Sequence, residues 1–91
     1  MKITWTRKAV SDLGRLYDFL AVVNKAAAVR TMKTLSAAPE VLLAHPRLGE
    51  QLFQYLPKEI RRLQVGHYEM RYEIFEDTIF VLRLWHTRED R

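Results

Sequence analysis

The sequence contains no cysteine and no long run of apolar residues. Without cysteine the chain forms no disulfide and offers no thiolate to a metal, so a reducing compartment, the cytoplasm, is the expected location. No stretch approaches the ~18 apolar residues that a membrane-spanning helix needs. The start of the chain, Met1-Lys2-Ile3-Thr4-Trp5, lacks the apolar segment of a signal peptide, so we expect no membrane association.

What the sequence does contain fits one small basic domain over residues 1–91. The hydrophobic fraction is 48% and the mean hydropathy is −0.23, as in compact globular proteins. The net charge is +4, which favours anionic partners such as nucleic acid, a ribosome or an acidic protein. Eleven acidic residues are interspersed among the basic ones, so the charge biases the choice of partner without defining a nucleic-acid site.

An alternating pattern opens the chain and a helical pattern follows it. Ile3 and Trp5 alternate with polar residues, which predicts a short strand, and Thr6 then stands at the N-cap position of a helix. Asp12 and Arg15 lie outside the apolar stripe of this helix, which contains Ala9, Leu13, Leu16, Tyr17 and Leu20.

A second helix is predicted from about Lys25, after a turn at Asn24. Pro39 interrupts it, and residues 40–44 continue as a separate helical turn. Helices this close in sequence form an antiparallel hairpin, and their apolar stripes need a further surface to cover them.

Period-two patterns dominate the rest of the chain, after a loop over residues 45–50. Residues 51–57 fit either an extended segment or a loop. A strand begins at Glu59, a bend is expected at Gly66-His67, and a hairpin connection at Glu76-Asp77-Thr78. Between the bend and the hairpin, one face carries Tyr68, Met70, Tyr72 and Ile74, and the other carries Glu69, Arg71 and Glu73.

The last strand is apolar on both faces over much of its length. By strict alternation Ile79, Val81, Arg83 and Trp85 share one face, and Phe80, Leu82, Leu84 and His86 share the other. Such a strand is expected inside the sheet. The predicted fold is therefore α+β in the order β-α-α-β-β-β, with an α-hairpin packed on a small, mainly antiparallel sheet.

Three segments together resemble the RelE/ParE toxins of bacterial type II toxin–antitoxin systems. The opening resembles the family in Trp5-Thr6-Arg7-Lys8-Ala9-Val10-Ser11-Asp12-Leu13, and the middle loop in His45-Pro46-Arg47-Leu48-Gly49. The last third is similar in Arg62-Leu63, Tyr68, Tyr72 and Trp85-His86-Thr87-Arg88-Glu89-Asp90. The order and spacing of these motifs, rather than any one of them, carry the resemblance, which spans the whole chain.

The resemblance implies a toxin neutralised by a cognate antitoxin, which would bind operator DNA on behalf of the pair. RelE-like members cleave mRNA on the ribosome, whereas ParE-like members inhibit DNA gyrase by binding. RelE-like nucleases place an arginine directly after the tyrosine that opens the third strand, but Glu69 follows Tyr68 here. Lys58 is alone before the strands, where nucleases are rich in lysine. These departures favour the ParE-like branch, which needs no cofactor.

Two alternatives stay open. In the first, the chain is a ribosome-dependent endoribonuclease: Arg71 takes the place of the missing arginine, and His86 serves as acid or base beside Arg88 and Arg61 or Arg62. His86 also has a structural interpretation, as a strand-ending side chain bonded to Asp90 or a backbone carbonyl. In the second alternative, the chain is a non-toxic member that only binds its antitoxin.

The residues expected to contact the antitoxin or the target lie in the last third of the chain. They are Arg62, Arg83, Trp85, His86, Arg88 and Arg91, and the basic cluster of Arg83, Arg88 and Arg91 is expected to meet an acidic partner. The histidines His45, His67 and His86 are too scattered in sequence to predict a metal site.

Overall fold

A helical hairpin lies on one side of a mixed sheet in the computed structural model, which describes residues 1–89. The predicted α+β class and the β-α-α-β-β-β order are confirmed, and the structure adds one short strand. The elements are β1 (Lys2–Trp5), α1 (Arg7–Val23), α2 (Lys25–Ala37), a 3-10 turn (Ala38–Glu40), α3 (Val41–Ala44), β2 (Glu50–Gln51), a second 3-10 turn (Phe53–Tyr55), β3 (Glu59–Val65), β4 (Tyr68–Phe75) and β5 (Thr78–His86).

Two side chains define the ends of the helices, as their sequence positions predict. The Thr6 hydroxyl accepts a hydrogen bond from the backbone N–H of Ala9 at 3.2 Å and so caps α1. The Asn24 backbone N–H donates to Leu20 at the end of α1, and its side chain accepts from the N–H of Ala27 in α2. One residue thus ends the first helix and caps the second, which makes the hairpin tight.

The strands form one sheet in the order β1-β5-β4-β3-β2. β1 runs parallel to β5, and the other neighbouring strands are antiparallel. β5 lies between β1 and β4, inside the sheet as its two apolar faces predict. Among residues 1–89, no helix combines the length and apolarity needed to cross a membrane.

The hydrophobic core fills the space between the α-hairpin and one face of the sheet. Its main cluster contains Ala9, Leu16, Leu35, Met70, Val81 and Leu84. A second buried cluster of Leu42, Tyr72 and Ile79 continues under α3. The Tyr72 hydroxyl also donates to the carbonyl of Pro46 at 2.8 Å and accepts from the N–H of Gly49 at 2.9 Å.

The strict alternation predicted for β5 is wrong, because the strand contains a β-bulge. Val81 pairs with Tyr72 and Arg83 pairs with Arg71, so Leu82 is an extra residue in β5. Beyond the bulge Leu84 faces the core, and Arg83 and Trp85 face away from the helices. We call the side of the sheet that faces away from the helices the open face.

Candidate functional site

The end of β5 contributes to two different surfaces, one on each side of the sheet. Trp85 pairs with Glu69 and Arg83 with Arg71, which places these four residues on the open face. His86 pairs with Tyr68 and lies on the side of the helices. The strand therefore presents candidate binding residues in both directions.

On the open face, Trp85 lies between two guanidinium groups. The ring centroid is 4.8 Å from the guanidinium carbon of Arg71 and 5.8 Å from that of Arg83. Arg71 also donates a hydrogen bond of 2.9 Å to the hydroxyl of Tyr55. Tyr55 lies in the 3-10 turn that follows β2. These contacts fix the orientation of the Trp85, Arg71 and Arg83 side chains.

Carboxylates accompany the arginines of the open face. Glu69, which is 5% exposed, accepts from Arg71 at 3.1 Å and lies 3.8 Å from Arg62. Arg62 also pairs with Glu50 at 2.7 Å. The open face is consequently a network of mutually neutralised charges rather than a positive patch.

Asp12 on α1 is buried although the sequence pattern places it on the polar side of the helix. The residue is only 4% exposed. Its carboxylate accepts from the Leu84 N–H at 2.8 Å, from Arg83 at 2.8 and 3.2 Å, and from Arg15 at 3.1 Å. Burial alone would raise the pKa of this carboxyl, but these hydrogen bonds outweigh it, so the pKa lies below its usual value.

We expect the contribution of Asp12 to stability to disappear in acid. Since the pKa of Asp12 is lower in the folded state than the unfolded value of about 3.9, its contribution is complete only above about pH 5. It is lost as the pH falls through the folded-state pKa. Asp12→Asn should lower the free energy of unfolding by about 2 kcal/mol at neutral pH, because Arg15 and Arg83 are partly exposed and screened.

Urea unfolding of the wild type and Asp12→Asn at several pH values measures this difference. The gap in unfolding free energy should shrink between about pH 5 and about pH 2. Asp18→Asn, an exposed change on the same helix, should show almost no gap at any pH. A gap for Asp12→Asn that stays constant down to pH 2 would contradict the account.

On the helix side, an apolar cleft of about 510 Å³ lies between α1 and the end of the sheet. Its apolar wall is formed by Leu16, Phe19, Leu20 and Tyr68, and its rim by Arg15, His86, Arg88 and Glu89. We call this the helix-side cleft. Burial raises the pKa of Tyr68, and the nearby Glu89 carboxylate raises it further, so its hydroxyl stays neutral at physiological pH.

The histidine of the cleft is held by its neighbours. The His86 ring meets the Tyr68 ring edge to face at 5.1 Å and stacks on His67 at 6.0 Å. Its Nδ1 accepts from the Arg88 N–H at 3.1 Å. Two of the three scattered histidines are thus neighbours, but within residues 1–89 no group of three or more His, Cys, Asp or Glu residues could hold a metal ion.

An exposed apolar patch continues the cleft along α1. Phe19 is 74% exposed, Val22 is 87% exposed and Val23 is 86% exposed. Phe19 belongs to both the patch and the cleft wall. Clustered side chains of this size on a helix are typical of a surface that a partner covers. Their spacing, three and four residues apart, was visible in the sequence as a second apolar stripe beside the buried one.

The structure divides the predicted site residues between the two surfaces. Arg62, Arg71, Arg83 and Trp85 are together on the open face, whereas His86 and Arg88 line the helix-side cleft. The proposed basic cluster is therefore split, with Arg83 and Arg88 on different surfaces. Arg91 and Asp90 lie outside the described residues.

The family profile described as "ParE toxin of type II toxin-antitoxin system, parDE" matches residues 3–91. The chain belongs to the ParE toxin family. The predicted membership of the RelE/ParE superfamily and the preference for its ParE-like branch are confirmed. ParE toxins belong to type II toxin–antitoxin systems, so an antitoxin partner is implied for this chain as well.

A solved structure supports the ParE fold. It is described as the chromosomal ParDE TA system from P. aeruginosa, and its matching chain is 22% identical with a TM-score of 0.80. The match covers 94% of this chain and 95% of that chain. A search of curated proteins found no match.

Proposed function

We propose that this ParE-family toxin inhibits DNA gyrase by binding and acts in the cytoplasm, where a cognate antitoxin neutralises it. The observation that carries the proposal is the placement of His86 and Arg71 on opposite sides of the sheet. A nuclease needs its acid or base and its phosphate-binding cations around one scissile phosphate. Because these side chains do not converge, the geometry favours inhibition by binding over RNA cleavage.

The electrostatics of the sheet support the same choice. Binding to RNA gains its affinity from cations that neutralise phosphates and release counterions. The arginines around the sheet instead pair with carboxylates of the chain itself: Arg47 and Arg61 with Glu59, Arg62 with Glu50, Arg71 with Glu69, and Arg83 with Asp12. An RNA backbone would have to displace these carboxylates, which weakens its binding.

The antitoxin is proposed to dock in the helix-side cleft and on the apolar patch that continues it. The exposed apolar residues of α1 suit a partner segment that carries apolar side chains on one face. Arg88 lies at the rim and forms no ion pair within residues 1–89. An acidic residue of the antitoxin can pair with it, in keeping with the chain's net charge of +4.

A supercoiling assay with purified DNA gyrase tests the proposed target. The wild-type chain should inhibit supercoiling in proportion to the fraction of gyrase it binds, and added antitoxin should relieve the inhibition. Arg88→Ala should weaken the inhibition or the capture by the antitoxin about tenfold, since it removes a rim cation that no carboxylate of residues 1–89 pairs.

Arg30→Ala is the matched control, because Arg30 is an exposed arginine on α2, away from the cleft. It should behave as the wild type in both assays. Cleavage of mRNA in a purified translation system, without an effect on supercoiling, would support the ribonuclease alternative. Antitoxin binding without either activity would support a non-toxic member.

A further inference from the structure

Beyond the end of β1, the outer edge of β5 is closed by side chains instead of a neighbouring strand. The Thr6 hydroxyl donates to the carbonyls of Val81 and Leu82, at 2.9 and 3.1 Å. Arg15 donates to the carbonyl of Leu84 at 3.0 Å, and the Asp12 carboxylate accepts the Leu84 N–H. These bonds satisfy the backbone groups that a strand would otherwise pair.

The Glu89 carboxylate completes this edge at the end of the strand. One oxygen accepts the N–H of His86 at 2.8 Å, and the other pairs with Arg15. Arg15 in turn contacts Asp12. A continuous chain of contacts therefore runs along the second half of β5, from Asp12 through Arg15 to Glu89. Asp12 and Arg15 anchor it to α1.

The bulge decides which side chains each surface receives. If Leu82 were a regularly paired residue instead of a bulge, strict alternation would place Arg83 and Trp85 with Val81 on the helix side, and His86 on the open face. A bulge also leaves its extra residue unpaired and disrupts the strand's regular hydrogen bonding locally. The Asp12 carboxylate, from α1, accepts hydrogen bonds from the two residues that follow the bulge: from the Arg83 side chain and from the Leu84 N–H.

We propose that Asp12 is a positioning residue, whose buried carboxylate holds the β5 bulge and so assigns Arg83 and Trp85 to the open face and His86 to the helix-side cleft. The inference rests on the proposed function in one respect, since it makes the open face the surface that meets the target. The side chains of Arg62 and Arg83 are 45% and 44% exposed, so their outer sides are accessible to that target.

Two variants of Asp12 separate its charge from its hydrogen bonding. Asp12→Asn keeps one oxygen that can accept the Leu84 N–H but removes the charge that holds Arg83 and Arg15. Asp12→Ala leaves the Leu84 N–H without its acceptor. Asp18→Asn, on the exposed side of the same helix, is the control.

Nuclear magnetic resonance in a Trp5→Phe background, which leaves Trp85 as the only tryptophan, reports on the position of the strand. The wild type should show contacts from the Trp85 indole to both Arg71 and Arg83, and slow exchange of the Leu84 amide. In Asp12→Ala both contacts should be lost and the Leu84 amide should exchange at least tenfold faster.

If Asp12→Ala does not fold, Asp12→Asn decides the question. It should lose the contact between Trp85 and Arg83, because the charge that holds Arg83 is gone, but keep the slow exchange of the Leu84 amide, because its side-chain oxygen still accepts that N–H. Asp18→Asn should match the wild type in both respects. Intact contacts of Trp85 with both arginines in a folded Asp12 variant would overturn the proposal.

The supercoiling assay tests the functional part. A folded Asp12→Asn chain should need at least a tenfold higher concentration for half-inhibition of gyrase, with Asp18→Asn unchanged. If the contacts of Trp85 change but inhibition does not, the assignment of the target to the open face is wrong. If the wild type itself does not inhibit gyrase, the proposed function fails, and the magnetic resonance result still decides the role of Asp12.

Discussion

Gly49→Ala should destabilise the fold by about 3 kcal/mol or more. A Cβ atom at this position would lie 2.6 Å from the carbonyl oxygen of Arg62 and 2.8 Å from two atoms of the Tyr72 side chain. The first of these is backbone in β3 and the second is fully buried, so neither moves without cost. The Gly49 N–H would also leave the Tyr72 hydroxyl, which loses a buried hydrogen bond of about 1 kcal/mol.

Chemical unfolding of Gly49→Ala measures this effect, and Gly14→Ala is the matched control. Gly14 is exposed in the middle of α1, and an added Cβ would meet no atom within 4 Å. Because alanine favours a helix over glycine by about 1 kcal/mol, the control should be more stable than the wild type. If Gly49→Ala unfolds within 1 kcal/mol of the wild type, the close approach does not constrain the chain.

Charged substitutions at Phe19 and Val22 should abolish antitoxin binding without unfolding the toxin. Both side chains are mostly exposed, so Phe19→Asp with Val22→Asp should lower the free energy of unfolding by no more than about 1 kcal/mol, part of it from carboxylates near the C-terminal end of α1. In the proposed complex both side chains become buried. Two carboxylates left in an apolar interface should weaken binding at least 100-fold.

Titration calorimetry with the antitoxin from the same operon measures the affinity of the Phe19 and Val22 variant. Val10→Asp is the control, since Val10 is also exposed on α1 but lies away from the cleft. It should bind the antitoxin with the wild-type affinity. Wild-type affinity of the double variant would place the antitoxin elsewhere on the toxin.

The order of the elements follows from the sequence because local signals determine it. Thr6 and Asn24 cap helices through bonds to residues three positions away, and the alternation of β4 continues without interruption. Such signals involve neighbours in the chain, and periodicity captures them. The loop motif of residues 45–49 has a structural role, because the Tyr72 hydroxyl forms hydrogen bonds with the backbone of Pro46 and Gly49.

The candidate surfaces depend on contacts between residues far apart in the chain. Asp12 bonds Leu84 across 72 positions, and no local pattern predicts that a polar residue beside an apolar stripe meets a bulge. The bulge at Leu82 reverses the faces of the four residues that follow it. Strict alternation therefore placed Arg83 and Trp85 on the wrong side of the sheet.

Pulse labelling of DNA and protein synthesis, after induction of this chain alone in bacteria, tests the central claim most directly. Inhibition of gyrase by binding predicts an early loss of DNA synthesis, with an SOS response and filamentation, while translation continues. An early loss of translation with fragmented mRNA would contradict it, because a ribonuclease site would then have to work without bringing together His86 and Arg71, which the fold holds on opposite sides of the sheet.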